Sequence, residues 1–286
     1  MSNYIGIDIG GTNIRVGLID ENNNLICTHK EPTLKDVTNV EELYEKIKNL
    51  IKKIPNYQIA KAIGIGAPGY IEVETGEIKT ATNLKMLASF PLKERLEKDF
   101  EKNVYLDNDA RVATLGEAIL GAGKGKEIVC YVTISTGLGG GVVIEDNIYH
   151  GSGNLGGYFG SLILDGEQTS EALISGTGLL KQAKEKINSN IQNAEEIFAL
   201  ARTGNIFAQE IIEKFKRNLV VLLLNISYTI NPNIIVLGGG VLKSKEYFLE
   251  DVIKEFKLKA KDTIIEIALL EEPGVIGAAL LAKNKE

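Results

Sequence analysis

Asp8, Gly10, Gly11, Thr12, Asn13 and Arg15 sit close together in the segment Ile7-Asp8-Ile9-Gly10-Gly11-Thr12-Asn13-Ile14-Arg15. A carboxylate, two glycines, a hydroxyl and a guanidinium at this spacing are parts for holding a phosphate and its cation. Glycine has no Cβ and tolerates φ > 0, so a strand-turn-strand bend built on it exposes backbone N–H groups. Consecutive N–H groups in such a bend make a concave anion site. A second loop of the same kind, Thr133-Ile134-Ser135-Thr136-Gly137-Leu138-Gly139-Gly140-Gly141, lies about half the chain later. Its Thr136 and Gly137 can offer a hydroxyl and an N–H to phosphate. Two such loops in one chain point to two facing halves that grip a single polyphosphate.

Other residues carry a chemical and a structural reading side by side. Asp8 ends an apolar run, where a carboxylate is costly without a partner. It can cap a turn, or hold Mg²⁺ through water, since Mg²⁺ keeps several waters and needs few carboxylates; the neighbouring Gly10, Gly11, Thr12 and Arg15 favour the metal. Asp109 falls where a helix begins, and Asp is a favoured N-cap. It can equally be a general base that takes a substrate hydroxyl proton during phosphoryl transfer, with Asn108 binding another hydroxyl. On the residues alone both readings stand. The run Gly139-Gly140-Gly141 exceeds what a bend needs and suggests close approach by a ligand. Gly238-Gly239-Gly240 is either a surface for an adenine ring or a strand-to-helix turn. Gly64-x-Gly66-x-x-Gly69 is rejected as a dinucleotide fingerprint, because Pro68 follows where a helix is required. No G-x-x-x-x-G-K-[ST] motif occurs, and His29 and His150 read as surface or loop residues, with no ligand partners at metal spacing.

The elements that must position these residues follow from periodicity. Apolar runs over 4–9, 15–19 and 25–30 read as strands flanking the first loop. Val40, Leu43, Tyr44, Ile47, Leu50, Ile51 and Ile54 recur at helical spacing, with Asn39 as their cap. A strand over 59–65, a hairpin over 70–78, a helix over 91–100, a short strand over 104–106 and a helix over 110–120 complete the first half. The order then repeats: strands over 128–135 and 142–145 flank the second loop, helices dominate 170–230, strands follow at 234–237 and 264–269, and a helix closes the chain over 275–283. Two hairpin-first units with later helices make an α/β duplication with a ligand cleft.

Composition excludes several classes. The 286 residues suit one large domain or two medium ones, with a core that needs neither disulfides nor metal. A net charge of −6 and the lack of a basic cluster with interleaved aromatics argue against nucleic acid. Two isolated cysteines, Cys27 and Cys130, and a first strand at Tyr4 with no room for a leader fit a cytoplasmic protein. The longest apolar stretch, 219–224, is far short of the ~20 residues a membrane helix needs.

Taken together, these motifs resemble the ROK family of sugar kinases and repressors, nearly end to end. The segment from Asp8 to Arg15 looks like the family's first phosphate loop, and that from Thr133 to Gly141 like its second. Asn231-Pro232-Asn233 through Gly240 is similar to its adenosine segment, and Gly274-Val275-Ile276-Gly277-Ala278-Ala279 to its closing helix. Asn108-Asp109-Ala110 matches the family's sugar-binding Asn and catalytic Asp; Gly69, Asn83 and Glu171 fall at its sugar positions. The resemblance implies two actin-like (ribonuclease H-like) α/β domains with an interdomain cleft, one of residues 1–108 with 275–286 and one of 109–274. It implies ATP and Mg²⁺ as cofactors, Asp8 as the Mg²⁺ residue acting through water, Gly238 and Gly239 at the nucleotide, and a homodimer.

Two departures qualify it. Where the family writes A-G-E-x-G-H, this chain has Gly156-Gly157-Tyr158-Phe159-Gly160-Ser161, so the sugar Glu becomes Tyr158 and the His shared by sugar and zinc becomes Ser161. The family's C-x-C-G-x-x-G-C loop is missing, so no structural zinc is expected. Loss of a charged acceptor weakens recognition of an unmodified hexose. Tyr158 instead offers an aromatic face and a phenol, which can pack on an acetamido group. With Ser135 in the second loop, this is similar to the bacterial N-acetylmannosamine kinase branch. The expectation is an ATP-dependent kinase acting on the 6-hydroxyl of N-acetylmannosamine, with a glucokinase or other hexose kinase as the alternative. A non-catalytic sugar sensor and a sugar-responsive repressor are lesser rivals.

Overall fold

The computed structural model describes residues 2–81, 84–188 and 190–286, and the chain divides into two compact units. The first unit comprises residues 1–124, 146–156 and 269–286, and the second residues 125–145 and 157–268. In chain order the elements up to the first crossing are β1 (Asn3–Ile9), β2 (Asn13–Ile19), β3 (Leu25–Pro32), α1 (Val40–Lys53), β4 (Ala60–Ala67), β5 (Tyr70–Glu72), β6 (Glu77–Thr80), α2 (Leu92–Phe100), β7 (Asn103–Asn108) and α3 (Asp109–Ile119). There follow β8 (Ile128–Ile134), β9 (Leu138–Ile144), β10 (Asn147–Ile148), β11 (Ile163–Asp165), β12 (Gln168–Thr169), α4 (Ser170–Ile174), α5 (Gly176–Lys186), α6 (Ala194–Arg202), α7 (Ile206–Ile230), β13 (Ile234–Gly238), α8 (Leu249–Lys257), β14 (Ile264–Ile267) and α9 (Pro273–Lys285).

The first unit is built on a sheet of order β3-β2-β1-β4-β7. β1 and β2 form the antiparallel hairpin around the first loop, while β4 and β7 run parallel to β1. The parallel strands are covered on both faces, which is why β4 (AKAIGIGA) is almost uniformly buried. Helix α1 covers one face with Leu43, Tyr44, Ile47, Leu50 and Ile51, and Asn39 caps it by accepting the Glu42 amide at 3.0 Å. Helix α9 covers the other face and is buried from Gly274 to Ala282. It lies at backbone contact distance because glycines face it. A Cβ added at Gly64 would sit 1.7 Å from the Ala278 carbonyl oxygen, and one at Gly277 would sit 1.6 Å from that of Val112. The second contact joins α9 to α3, so α3 belongs with the first unit.

Glu117 of α3 is fully buried, yet its carboxylate has three partners. It accepts the amides of Ala122 at 2.9 Å, Leu269 at 3.2 Å and Leu270 at 2.9 Å. A buried carboxylate with three N–H donors is fully satisfied. It ties the segment after α3 to the segment that leads into α9.

In the second unit the strands β9, β8, β13 and β14 repeat the pattern. β8–β9 is an antiparallel hairpin around the second loop, and β8–β13–β14 are parallel. Its core gathers Phe198, Phe215, Phe248 and Phe256 with Leu219, Leu222 and Leu223 of α7. Asn205 caps α7, and Asn231 ends it in the left-handed conformation at φ 52°. Among the described residues no helix is long and apolar enough to cross a membrane.

Candidate active site

The first loop joins β1 to β2, and its internal bonding is specific. The Gly10 amide donates to the Asn13 carbonyl at 2.9 Å, so this N–H closes the turn rather than facing a ligand. Gly11 and Thr12 are exposed, and Asn13 is half-buried. At the base of the loop, Arg15 reaches Asp8 Oδ2 at 3.1 Å through Nη1 and Glu272 Oε2 at 2.9 Å through Nε. Desolvation raises the Asp8 pKa, and the Arg15 cation offsets only part of that cost. A carboxylate left in this balance fits one further positive charge, which is what a hydrated Mg²⁺ supplies. Among the described residues no group of three or more His, Cys, Asp or Glu is arranged to hold a metal ion.

The helix cap at β7–α3 is Asn108, not Asp109. Asn108 Oδ1 accepts the amides of Ala110 at 3.0 Å and Arg111 at 3.3 Å, and Asp109 is the first residue of the helix. Asp109 Oδ1 shares the Ala110 amide with Asn108, accepting it at 2.8 Å. Asp109 keeps some exposed surface, yet protein surrounds its carboxyl. That desolvation, and then the charge of Asp8, push its pKa up to about 7. The other side-chain atom of Asn108, Nδ2, donates to the Gly69 carbonyl at 3.1 Å. Gly69 has φ 103°, and a Cβ there would meet the Thr80 carbonyl oxygen at 1.8 Å, so only glycine fits. Asp8, Gly10, Gly11, Thr12, Asn13, Arg15, Gly69, Asn108 and Asp109 thus all lie in the first unit. Asn83 lies outside the described residues.

Behind Asn108 sits a buried cluster that residue spacing did not reveal. Asp107 and Arg111 are both fully buried and paired at 3.3 Å. Arg111 also donates to the carbonyls of Gly156 at 3.2 Å and of Asn154. His150 Nε2 lies 2.6 Å from Asp107 Oδ2, so His150 is a partner of a buried carboxylate rather than an isolated loop residue. Asp107 lies in β7 and Arg111 in α3, so no periodicity within one element links them.

The second unit holds Thr136, Gly137, Tyr158, Glu171, Gly238 and Gly239. The second loop is held by the start of α5: Gly176 and Thr177 amides donate to the carbonyls of Ser135 at 2.8 Å and Thr136 at 3.1 Å. Glu171 Oε2 accepts the Leu138 amide at 2.9 Å, so this carboxylate braces the loop. In the glycine run, Gly140 is required by the protein's own packing. A Cβ at Gly140 would lie 2.4 Å from the Phe159 ring. Gly238 and Gly239 have similar neighbours, since a Cβ would lie 2.2 Å from the Tyr131 hydroxyl and 2.4 Å from the Ile134 carbonyl oxygen, respectively.

Comparison with known proteins follows from this geometry. The model of the ROK family matches residues 4–285. The chain belongs to the ROK family. A glucokinase of Halalkalibacterium halodurans is 30% identical to this ROK chain, over 99% of the chain and 96% of the relative. A ROK glucokinase of Streptomyces griseus, solved with glucose and AMPPNP, superposes with a TM-score of 0.82 at 26% identity, covering 99% of this chain and 100% of that one. A Listeria monocytogenes protein, described provisionally as an N-acetylmannosamine kinase, gives 0.85 at 26% identity over 98% of each chain. The fold is accordingly that of two actin-like α/β domains, built on two five-stranded sheets.

Within the ROK frame, the stretch that lacks the zinc motif is a small hairpin. β11 pairs antiparallel with β12, Gly166 turns between them at φ 58°, and the Ser170 amide donates to the Leu162 carbonyl at 2.7 Å. The Ser170 hydroxyl donates to the Phe159 carbonyl. Backbone pairing thus holds this segment, with Tyr158 at the start of the short 3₁₀ turn Phe159–Ser161 and Ser161 exposed at its end.

Proposed function

We propose that this ROK sugar kinase transfers the γ-phosphoryl group of ATP to the 6-hydroxyl of N-acetylmannosamine. The coarser statement, a ROK sugar kinase, follows from the family match and from relatives that are named as sugar kinases. The observation that carries the mechanism is Asp109: a carboxyl raised to about 7 at the first turn of α3, where its Oδ1 accepts the Ala110 amide at 2.8 Å. A base with this pKa holds a proton at low pH and accepts one near neutrality.

Asp109 takes the proton of the sugar hydroxyl as its oxygen attacks the γ-phosphorus. Asn108 and Gly69, linked by a hydrogen bond, orient the acceptor beside it; Asn83 is assigned to the same group. Gly10, Gly11, Thr12 and Asn13 shape the first phosphate loop, and Thr136 and Gly137 the second. Asp8 would hold Mg²⁺ through water, with Arg15 fixing its carboxylate. When bound, the ion supplies charge neutralisation at the phosphate oxygens. The AMPPNP complex of the S. griseus relative supports ATP as donor. Gly238 and Gly239 keep their assignment to the adenosine end through the family match.

Tyr158 and Glu171 are the sugar contacts of the second unit. The choice of N-acetylmannosamine rests on Tyr158 in place of an acidic residue, and the Listeria neighbour supports it. Glucose is the second reading, favoured by the glucokinase relatives. A cytoplasmic homodimer belongs to the same reading; free Cys27 and Cys130 suit a reducing compartment. The test is ADP release with ATP and Mg²⁺ across N-acetylmannosamine, N-acetylglucosamine, glucose, mannose and fructose. The highest kcat/KM is expected for N-acetylmannosamine. A clear glucose preference overturns the substrate assignment, and no ADP with any sugar favours a non-catalytic sensor.

A further inference from the structure

Thr33 has no part in the reaction as described, yet it is fully buried and grips the first loop twice. Its amide donates to the Thr12 carbonyl at 2.9 Å, and its hydroxyl donates to the Gly10 carbonyl at 2.5 Å. Thr33 itself is held from behind. The Lys46 ammonium, on α1, donates to the carbonyls of Pro32 at 3.0 Å, Thr33 at 3.3 Å and Lys35. Helix α1 is anchored in the core by Leu43, Ile47 and Leu50. A rigid helix is thereby connected, through one cation and one threonine, to the loop at the head of the β1–β2 hairpin.

The direction of the two bonds matters. In a trans peptide the C=O and the N–H of the next residue point opposite ways. Drawing the Gly10 and Thr12 carbonyls toward Thr33 therefore turns the amides of Gly11 and Asn13 away from it. Those are loop donors that a phosphate can use, since the Gly10 amide is committed to Asn13. We infer that Thr33 is a positioning residue for nucleotide binding, and that its two bonds preset the loop so that the Gly11 and Asn13 amides face the anion. This rests on the reading of loop 10–13 as a phosphate site.

The test is calorimetric binding of Mg²⁺-AMPPNP and, separately, of sugar to the full chain. Thr33→Val keeps the shape and the amide but removes the hydroxyl, and Thr33→Ser restores it. One hydrogen bond that presets a loop contributes a factor of about 2–10 in affinity. Thr33→Val is expected to weaken AMPPNP by that factor, leave the sugar Kd unchanged, and be rescued by Thr33→Ser. If Thr33→Val fails to fold, Lys46→Met is expected to give the same split. Unchanged AMPPNP affinity in these variants, equal weakening of sugar and nucleotide, or failure of Thr33→Ser to restore affinity overturns the inference. Thr12→Val is the control on the loop. If it weakens AMPPNP while Thr33→Val does not, the Thr33 inference alone fails. If neither does, the phosphate-loop reading fails with it.

Discussion

Asp8 and Asp109 are two carboxylates of the first unit whose charges oppose each other, and the repulsion adds to burial in holding the Asp109 pKa up at about 7. Asp8 is itself raised by burial, and Arg15 offsets that only in part. The pair therefore has a cost in the absence of a cation and a use in its presence. In the proposed function, where the site binds Mg²⁺-nucleotide and accepts a proton, both properties serve the reaction.

The first prediction concerns pH and activity. Asp109 can accept a proton only when ionised, so kcat/KM should rise with pH through an apparent pKa of about 7. Removing the neighbouring charge with Asp8→Asn should move the Asp109 titration to lower pH. Carbon-13 NMR of the side-chain carboxyls reads this directly; an Asp109 signal that does not move contradicts the coupling.

The second concerns stability, and its sign is opposite to that of an ordinary paired carboxylate. The folded-state pKa of Asp109 lies above its ordinary value of 3.8. Between about pH 4 and 7 the folded chain holds a proton that the unfolded chain has released, so stability falls as pH rises through that window and is level above it. Asp109→Asn removes this loss. It should match wild type near pH 4 and exceed it at pH 8 by a few kcal/mol. Urea denaturation at the two pH values checks the difference.

The third concerns the buried ion pair beside the site. Arg111 and Asp107 are both fully buried, and Arg111 also holds the carbonyls of Asn154 and Gly156. Arg111→Met should destabilise the fold by about 3–5 kcal/mol, because the buried Asp107 carboxylate loses its guanidinium partner and is left with His150 and the Asn108 amide. Adding Asp107→Asn should recover part of that loss. A double variant no more stable than Arg111→Met would show that the carbonyl contacts, not the charge, dominate.

The fourth concerns specificity. Tyr158→Glu restores a charged acceptor of the kind that grips ring hydroxyls. It should raise the ratio of kcat/KM for glucose over N-acetylmannosamine by about tenfold or more, equivalent to ~1.4 kcal/mol. Competition assays with both sugars present measure that ratio.

Much of this was legible in the sequence because it rests on local pattern. The hairpins around both loops, α1 with its Asn39 cap, and the duplicated order follow from periodicity and glycine placement. What stayed hidden depends on contacts between distant segments. For Asp109 the residues left cap and base open, because Asp suits a helix start; the N-cap position falls to Asn108, one residue earlier. Nor could the sequence show that a Cβ at Gly140 or Gly238 would run into Phe159 or Tyr131. His150 looked isolated because Asp107 is 43 residues away, and Thr33 drew no reading at all because its partners Gly10 and Thr12 lie more than 20 residues earlier. No periodicity encodes such pairings.

The measurement that tests the account most directly compares wild type with Asp109→Asn at pH 7.5, following both Mg²⁺-AMPPNP binding and ADP release with N-acetylmannosamine. The account predicts unchanged nucleotide affinity and a kcat lower by ~10²–10⁴-fold, the contribution of a general base. Turnover within a few-fold of wild type would contradict it, since a chain that phosphorylates sugar without this carboxylate must take the hydroxyl proton elsewhere.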